Sequence, residues 1–267
     1  MSICCAWIRK VNNVEELVFI SESRLRSFGS WDCNPKIFTF SRTDCILSFT
    51  GNTMFAYPMM IQLKNLIDLN SKIQSRHQKL TIFKGNILKI LNDMLKYKSD
   101  YELPDVEFLF GGYCWDSQKF RIWKFHYQKG INIFTHAEVN FWKGIKGKLK
   151  VVFSGDYIDI AKNNLINLLK EKGKLNNNAS LDLEPLEVLR DMLLDNDAEK
   201  KYPAIGGPLQ MVKVYKSLNR VPFGVLWNIN NEEQITLFGN VVKKSNNLGF
   251  PIIDPINLNY INTNIYK

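Results

Sequence analysis

The sequence predicts an α+β protein in which two antiparallel sheets stack on each other and carry helices on their outer faces. Strand-like runs rich in β-branched and aromatic residues occur in three groups along the chain. A pair of segments with helical periodicity separates each group from the next. Because each helix pair needs a sheet face to cover, this order favours a four-layer αββα sandwich.

The first group contains two strand pairs. Residues 3–8 and 17–21 are strand-like and flank the polar turn 10–16, so a hairpin begins almost at the N-terminus. Residues 36–40 and 45–49 form the second pair, rich in β-branched and aromatic side chains. The first fifty residues are therefore predicted to be mostly sheet.

Two helices and a meander of strands follow. Apolar residues recur at helical spacing over 53–69 and again over 82–95. The chain then returns to strand-like patterns, which predict further antiparallel pairing. These strands are predicted at 106–114, 120–126, 131–135 and 149–154.

The second helix pair is predicted at 158–169 and 185–194. Pro185 suits the first turn of a helix, and Glu187 suits the positive end of the helix dipole. The low-complexity stretch 174–178 predicts a loop between these helices. The closing strands are predicted at 209–215, 223–229 and 234–238.

Length and apolar content predict one soluble domain spanning residues 1–267. A domain of this size can bury about three-quarters of the surface of its unfolded chain, and no interdomain linker is visible. No apolar run approaches the roughly 20 residues that span a bilayer. Basic residues follow the short apolar run at the N-terminus, which is the reverse of a secretory signal. We therefore expect a cytoplasmic protein that does not bind a membrane.

The formal charge of +9 raises the question of nucleic-acid binding. Lysine and asparagine are spread through the chain, however, and do not concentrate in a basic helix or arm. A nucleic-acid interface needs such a concentration of charge against the phosphate backbone. We therefore do not expect nucleic-acid binding as the main role.

The cysteines and histidines do not form a metal-binding pattern. The five cysteines are odd in number and lack zinc-ligand spacing, so we expect buried, reduced thiols and no metal or cofactor. Neighbouring cysteines at the start of the first strand should point to opposite faces of it. The cysteines are Cys4, Cys5, Cys33, Cys45 and Cys114, and the histidines are His77, His126 and His136.

Four short segments, in this order along the chain, resemble segments of proteasome β-subunits and bacterial proteasome-like peptidases. They are similar to that family's strand ending in Ala-Asp-Ser-Arg, its lysine-bearing strand, its strand ending in a glycine turn, and its Gly-Gly strand entry. The Ser-Gly pair at 154–155 is a weaker fifth match, and the resemblance extends from residue 2 to about residue 215. The segments are 18–24 (Val-Phe-Ile-Ser-Glu-Ser-Arg), 34–40 (Asn-Pro-Lys-Ile-Phe-Thr-Phe), 45–53 (Cys-Ile-Leu-Ser-Phe-Thr-Gly-Asn-Thr) and 205–215 (Ile-Gly-Gly-Pro-Leu-Gln-Met-Val-Lys-Val-Tyr).

This resemblance implies an N-terminal-nucleophile hydrolase. In such enzymes the free α-amino group of the first residue helps to deprotonate that residue's own side chain. Removal of Met1 would make Ser2 both the first residue and the nucleophile. The pKa of a free α-amino group, about 7.7 to 8.0, lies close to the working pH of a general base. The implied reaction is hydrolysis of an amide bond through an acyl-enzyme.

The resemblance also assigns roles to four other residues. Lys36 would place a positive charge beside the nucleophile, and Glu22 would pair with Lys36 and hold it. Ser154 would hydrogen-bond the terminal amine or relay a proton. The backbone amide of Gly51 would stabilise the oxyanion of the tetrahedral intermediate.

The sequence departs from the family pattern in two places. A glutamate, Glu22, stands where the family has an aspartate. Residues 202–205 read Tyr-Pro-Ala-Ile where active β-subunits carry an aspartate and a serine that orient the nucleophile. Asp156, Asp191 or Asp197 could substitute for the missing carboxylate.

The sequence is also compatible with three alternatives. The chain could be a catalytically silent scaffold or gating subunit, which would retain Met1. It could hydrolyse a small amide rather than a peptide, with the loop 27–34, containing Phe28 and Trp31, shaping a closed pocket. Cys4 could act as the nucleophile after further trimming.

The partners follow from the leading hypothesis. We expect a peptide or small amide as substrate and assembly into a homo-oligomer, since family members bury apolar helix faces against neighbours. The sequence contains no Walker-type nucleotide-binding motif. Energy for unfolding a protein substrate would therefore have to come from a separate ATPase.

Overall fold

The computed structural model describes residues 2–26, 29–98, 102–142, 149–176, 179–243 and 248–261. Within these residues the chain forms short and long strands together with two pairs of long helices, each pair accompanied by a one-turn helix. The strands are β1 Ile3–Val11, β2 Val14–Ser21, β3 Leu25–Arg26, β4 Ser30–Trp31, β5 Ile37–Phe38, β6 Cys45–Gly51, β7 Val106–Cys114, β8 Lys119–Gln128, β9 Ile133–Glu138, β10 Val151–Gly155, β11 Gln210–Val214, β12 Arg220–Ile229, β13 Glu232–Leu237, β14 Asn240–Val241, β15 Ile252–Asp254 and β16 Asn259–Ile261. The helices are α1 Thr53–Asp68, α2 Ser71–Gln74, α3 Leu80–Leu95, α4 Ile158–Glu171, α5 Glu184–Leu194 and α6 Ala198–Lys201.

The strands form two large sheets, and the fold is α+β as the sequence predicts. One sheet has nine strands, with the order β10-β1-β2-β11-β12-β13-β14 and with β15 and β16 attached through β12. The other has five strands in the order β5-β6-β7-β8-β9. The strands pair antiparallel except for β12 and β15, which are parallel.

Three apolar clusters show how the elements pack. One contains Leu165 and packs α4 and α5 against the nine-stranded sheet. A second contains Phe83 and Phe110 and packs α1 and α3 against the five-stranded sheet. The third contains side chains from both sheets, among them Phe19 and Ile122. Burial of each such side chain contributes about 1.5–3 kcal/mol, so the packing of these elements holds the strand ends in place.

The alternation of side chains along β1 places its residues in two different clusters. Cys5 and Trp7 belong to the cluster on the helix side, and Cys4 and Ala6 belong to the cluster that contains both sheets. The prediction that adjacent cysteines point to opposite faces is therefore confirmed. Four of the five cysteines are buried, but Cys33 is partly exposed, which corrects the expectation of burial for this residue.

The first hairpin is longer than the sequence predicts. β1 continues to Val11 and β2 starts at Val14, because Asn12 and Asn13 form a two-residue turn in which both adopt positive φ angles of 48° and 66°. Asparagine tolerates this left-handed region better than most residues. Glu16, which belongs to the predicted turn, lies in β2 and pairs across the strands with Arg9 at 3.0 Å.

The strand predicted at 36–40 is shortened to β5. The backbone amides of Lys36 and Ile37 donate to the side-chain oxygen of Gln210, at 3.0 and 3.4 Å. A side chain from the other sheet thus accepts the backbone amides at this point, while the carbonyl oxygen of Lys36 accepts from the amide of Phe49 in β6 at 3.1 Å. The long helices and the remaining predicted strands are present, with ends shifted by a few residues.

The ends of the second helix pair agree with the sequence signals. Pro185 and Glu187 lie in the first turn of α5. The predicted loop 174–178 lies between α4 and α5, and its residues 177 and 178 are outside the described residues. None of the helices in the described ranges is long and apolar enough to cross a membrane.

Candidate active site

Five chain segments meet at one edge of the two sheets. Ser2 directly precedes β1, Glu22 directly follows β2, and Asp156 directly follows β10. Lys36 precedes β5, and Gly51 is the last residue of β6. Because β1 pairs antiparallel with both β2 and β10, the start of β1 lies beside the ends of its two neighbours. The residues that the sequence singles out therefore lie close together, although different strands carry them.

Ser2 is held by three hydrogen bonds. Its backbone nitrogen donates to Oδ2 of Asp156 at 2.5 Å, and its carbonyl oxygen accepts from the backbone amide of Asp156 at 2.7 Å. The backbone amide of Gly51 donates to Oγ of Ser2 at 3.3 Å. Ser2 is fully buried. A carboxylate thus faces the nitrogen of Ser2, and a backbone N–H faces its hydroxyl oxygen.

Two glycines make room for this arrangement. Gly51 and Gly155 have φ angles of +104° and +100°, in the region that only glycine adopts at low cost. A Cβ atom on Gly51 would overlap the carbonyl oxygen of Asp105, and one on Gly155 would overlap the carbonyl oxygen of Ser2. Any other residue at position 155 would displace Ser2 itself.

Replacement of Gly155 by alanine is expected to destabilise the protein. The positive φ angle costs about 1–2 kcal/mol for a residue with a Cβ atom, and the overlap with Ser2 adds about 1–3 kcal/mol. Gly173 is a matched control, because its φ is +64° and a Cβ there meets no atom within 4 Å. Urea unfolding should give a larger loss for Gly155→Ala than for Gly173→Ala, and equal losses would contradict this reading of the turn.

Lys36 and Glu22 form a fully buried ion pair between Nζ and Oε1. Glu22 also accepts from three backbone amides, those of Arg24 at 2.6 Å and of Ile3 and Gly206 at 3.4 Å. Burial raises the pKa of Glu22, and the ammonium of Lys36 opposes that rise. Since Oε1 of Glu22 contacts both Lys36 and the amide of Ile3, the positive charge of Lys36 lies next to the backbone that follows Ser2.

Gln210 of β11 fixes the two segments that carry this ion pair. Its side-chain nitrogen donates to the carbonyl oxygens of Glu22 at 3.1 Å and Asn34 at 2.7 Å. Its side-chain oxygen accepts from the amide of Lys36 at 3.0 Å. Gln210 is fully buried. Its role was missed in the sequence, where it is an ordinary polar residue inside a strand pattern.

Ser154 has partners other than the terminal nitrogen that the resemblance implies. Its hydroxyl donates to Oε2 of Glu107 at 2.7 Å and lies 3.0 Å from Oγ1 of Thr50. The register of β10 against β1 explains the difference. Ser154 pairs with Cys4 and Gly155 pairs with Ile3. Because the strands are antiparallel, the next residue, Asp156, lies opposite Ser2.

The other aspartates considered as substitutes lie at the surface. The side chain of Asp191 is 60% exposed and pairs with Arg190 at 2.7 Å. That of Asp197 is 67% exposed and lies 4.0 Å from Lys201. Of the three aspartates, Asp156 is the one in contact with Ser2.

Cys4, the alternative nucleophile after further trimming, lies in the interior of the untrimmed chain. Its thiol is fully buried between the sheets and donates to the hydroxyl of Ser21 at 3.0 Å and the carbonyl oxygen of Phe49 at 3.2 Å. Burial raises the pKa of this thiol to about 12. Because the thiolate is the nucleophilic form, this burial disfavours attack by Cys4 while residues 2 and 3 precede it.

The two described clefts do not include Ser2 in their walls. The larger, of about 840 Å³, is lined mostly by polar residues such as Arg42 and Arg76, together with Trp115, at the end of the five-stranded sheet opposite Gly51. The smaller, of about 420 Å³, includes Asp32 and Cys33. Trp31, which the small-amide hypothesis places in a pocket wall, is 63% exposed, and Phe28 lies outside the described residues.

Comparison with known proteins identifies the fold. No protein-family model matches the chain, and no curated protein matches it. Its structure is similar to that of Anbu (ancestral beta-subunit) from Yersinia bercovieri, with a TM-score of 0.53 and 13% sequence identity. The match covers 82% of this chain and 86% of that chain. At this identity the likeness shows the fold alone, and the chain has a proteasome-like fold.

Proposed function

We propose that this protein is an N-terminal-nucleophile hydrolase that cleaves amide bonds with Ser2 after removal of Met1. The observation that carries the proposal is the setting of Ser2. Its nitrogen faces the carboxylate of Asp156, and its hydroxyl oxygen faces the backbone N–H of Gly51. This is the pairing that the chemistry requires, since the nitrogen is the base and the hydroxyl the nucleophile.

The reaction would proceed in two steps. In the first, the free amine of Ser2 takes the proton of its own hydroxyl while Oγ attacks the carbonyl carbon of the amide. The amide N–H of Gly51 stabilises the oxyanion that forms, a contribution of about 2.7–4 kcal/mol for one such donor. The amine then gives its proton to the leaving nitrogen, and an ester on Ser2 remains. In the second step, water, deprotonated by the same amine, hydrolyses that ester.

Asp156 and the Lys36–Glu22 pair would stabilise different charges during the reaction. The carboxylate of Asp156 orients the amine and stabilises its protonated form. The ammonium of Lys36 favours the developing negative charge on the Ser2 hydroxyl. Glu22 holds Lys36 in place through the buried ion pair.

Replacement of Asp156 by asparagine tests the role of its carboxylate. We expect Asp156→Asn to lower the rate of hydrolysis of fluorogenic peptide amides about 10²-fold, because the amine loses the negative charge that stabilises its protonated form. The acidic limb of the pH–rate curve should also move to lower pH, since loss of a neighbouring negative charge lowers the pKa of the amine.

A matched variant is available three residues further on. The side chain of Asp159 is 95% exposed and lies 3.7 Å from Lys162, at the start of α4. Asp159→Asn should leave both the rate and the pH profile unchanged. An Asp156→Asn protein with the wild-type rate and profile would overturn the assignment of Asp156.

The packing supports the finer architecture that the sequence predicts. The three apolar clusters support a single domain with a four-layer αββα order.

Exposed apolar side chains on the outer helix α1 and at its end support a homo-oligomer; they include Met54, Ile61 and Leu69. Light scattering would measure the oligomeric state, and a monomer would contradict the proposed assembly. For folded protein substrates, the proposal also includes a separate ATPase.

One observation favours a second candidate, a catalytically silent proteasome-like scaffold. Ser2 is fully buried in the chain that begins with Met1, so a substrate cannot reach its hydroxyl in this state. The hydrolase proposal requires that the Ser2 hydroxyl is accessible to substrate in the processed chain. Retention of Met1 in the purified protein would favour the scaffold.

A further inference from the structure

The turn that carries Asp156 contains a residue in an unusual backbone conformation. Tyr157 follows Asp156 directly and precedes the first residue of α4. Its φ and ψ angles are 58° and 22°, in the left-handed region, where a residue with a Cβ atom has a higher energy than glycine. Such a conformation persists only where the surrounding structure stabilises it. The contacts of the Tyr157 side chain therefore matter for the shape of this turn.

Two contacts connect the Tyr157 side chain to one segment, residues 202–205. Its hydroxyl oxygen accepts a hydrogen bond from the backbone amide of Ala204 at 3.3 Å. Its ring packs edge-to-face on the ring of Tyr202, with the ring centroids 5.4 Å apart and the planes at 71°. Both rings are partly buried against the apolar cluster that contains Leu165. The turn after β10 is thus attached to a segment that lies far from it in the chain.

The segment 202–205 is the one in which the family pattern has an aspartate and a serine that this chain lacks. Here it contacts the turn after β10 through Tyr157. The residue that follows it, Gly206, donates its backbone amide to Oε2 of Glu22 at 3.4 Å. The segment therefore lies between the turn that carries Asp156 and the buried Lys36–Glu22 pair.

The conformation of Tyr157 determines where Asp156 lies. α4 is fixed on the nine-stranded sheet by its buried residues, among them Leu165. Because α4 cannot follow, a change of φ at Tyr157 would move the residue before it. That residue makes two contacts with Ser2, through its backbone amide at 2.7 Å and through Oδ2 at 2.5 Å. Both contacts depend on the turn keeping its left-handed conformation.

We propose that Tyr157 is a positioning residue for Asp156, because its ring and hydroxyl attach the strained turn to residues 202–205 and so hold the Asp156 carboxylate against the nitrogen of Ser2. This inference rests on the proposed function. Tyr157 acts through Asp156 and not on the reacting atoms themselves. The segment that lacks the family's aspartate and serine would then still support the nucleophile, through the backbone amide of Ala204 and the ring of Tyr202.

Charged groups surround both the Ser2 nitrogen and the contacts of Tyr157. Asp156 faces the nitrogen directly, and the Lys36–Glu22 pair adjoins the backbone that follows Ser2. Ion pairs of the neighbouring helices and loops lie closer to Tyr157 and to the segment 202–205. These pairs are Asp159–Lys162, Asp195–Lys201 and Glu199–Arg24. Of all these groups, the variants below change only Asp156.

Two variants of Tyr157 test its role. Tyr157→Gly removes both contacts, and glycine adopts the left-handed conformation without strain, so the turn is no longer held. We expect labelling of Ser2 by an epoxyketone to slow about 10-fold. The acidic limb of its pH profile should move to lower pH by about 0.5 unit, because the amine loses part of the negative charge that favours its protonated form. Tyr157→Phe keeps the ring contact and should lie between wild type and Tyr157→Gly.

A double variant shows whether Tyr157 acts through Asp156. Asp156→Asn/Tyr157→Gly should have the labelling rate and pH profile of Asp156→Asn alone, since residues that act as a unit are not additive. Leu218→Gly is the matched control. Leu218 also has a positive φ angle, of 63°, but it lines the larger cleft at the end of the five-stranded sheet opposite Gly51. Its replacement should leave the rate and the profile unchanged.

An unchanged pH profile in Tyr157→Gly, or a slowing that multiplies that of Asp156→Asn, would overturn the positioning role and leave Tyr157 as a purely structural residue. Wild-type protein that is not labelled at Ser2 would instead overturn the proposed function, and this inference with it. Urea unfolding of each variant checks that the protein is folded under the labelling conditions.

Discussion

Ser2→Ala is expected to reduce hydrolysis of peptide amides at least about 10³-fold while leaving the protein folded. Loss of a serine nucleophile removes the covalent step, and what remains comes from substrate binding and oxyanion stabilisation alone. The structural cost should be small, because two of the three hydrogen bonds described for Ser2 are made by its backbone. A panel of fluorogenic peptide amides supplies the assay, and the substrate that wild type cleaves fastest is then used for all variants.

Ser48→Ala is the matched control for this variant. Ser48 is a buried serine of β6, on the strand that ends at Gly51. Its loss should leave the rate within a few-fold of wild type. If Ser2→Ala and wild type hydrolyse the amides at the same rate, Ser2 is not the nucleophile.

Lys36→Met is expected to lower the free energy of unfolding by about 3–5 kcal/mol at neutral pH, and to slow catalysis as well. The side chains of Lys36 and Glu22 are both fully buried, so removal of the ammonium leaves a buried carboxylate without its counter-charge. The double variant Glu22→Gln/Lys36→Met removes both charges and should recover most of the loss. Denaturant unfolding of the two variants and wild type gives the comparison.

The loss should depend on pH with a defined sign. In Lys36→Met, burial raises the pKa of Glu22 without an opposing cation, so the folded state binds a proton more readily than the unfolded state. Stability then falls as the pH rises from the unfolded pKa of the carboxyl towards its folded pKa. The variant should therefore be closer to wild type at pH 5 than at pH 8. A loss that is the same at both pH values, or no loss at pH 8, would show that Glu22 does not remain as a buried charge.

The sequence predicted most of the helices and strands because their apolar residues recur with a clear period. The alternation along β1 and the helical spacing of α1 and α3 depend on neighbours in the chain, and these elements lie close to their predicted ranges. Pairing between strands that lie far apart in the chain leaves no periodic pattern in the sequence. The parallel return of β15 to β12 and the contacts of Gln210 with the backbone of residues 36 and 37 both depend on segments far away in the chain.

The residues of the candidate site were likewise predicted only in part from the sequence. Ser2, Lys36 and Glu22 were placed by a resemblance, and the structure brings their strand ends together. Which of three aspartates faces Ser2 depends on the register of β10 against β1, which only the paired strands reveal. The role of Tyr157 was not predicted, because its contact with Ala204 joins segments that lie far apart in the chain.

The most direct test of the central claim is the intact mass of purified, untagged protein before and after incubation with an epoxyketone or a β-lactone. Such electrophiles react with N-terminal nucleophiles and need no knowledge of the substrate. We predict loss of Met1, one adduct per chain that maps to Ser2, and no adduct in Ser2→Ala. A chain that retains Met1 and forms no adduct would contradict the hydrolase proposal and leave a proteasome-like scaffold.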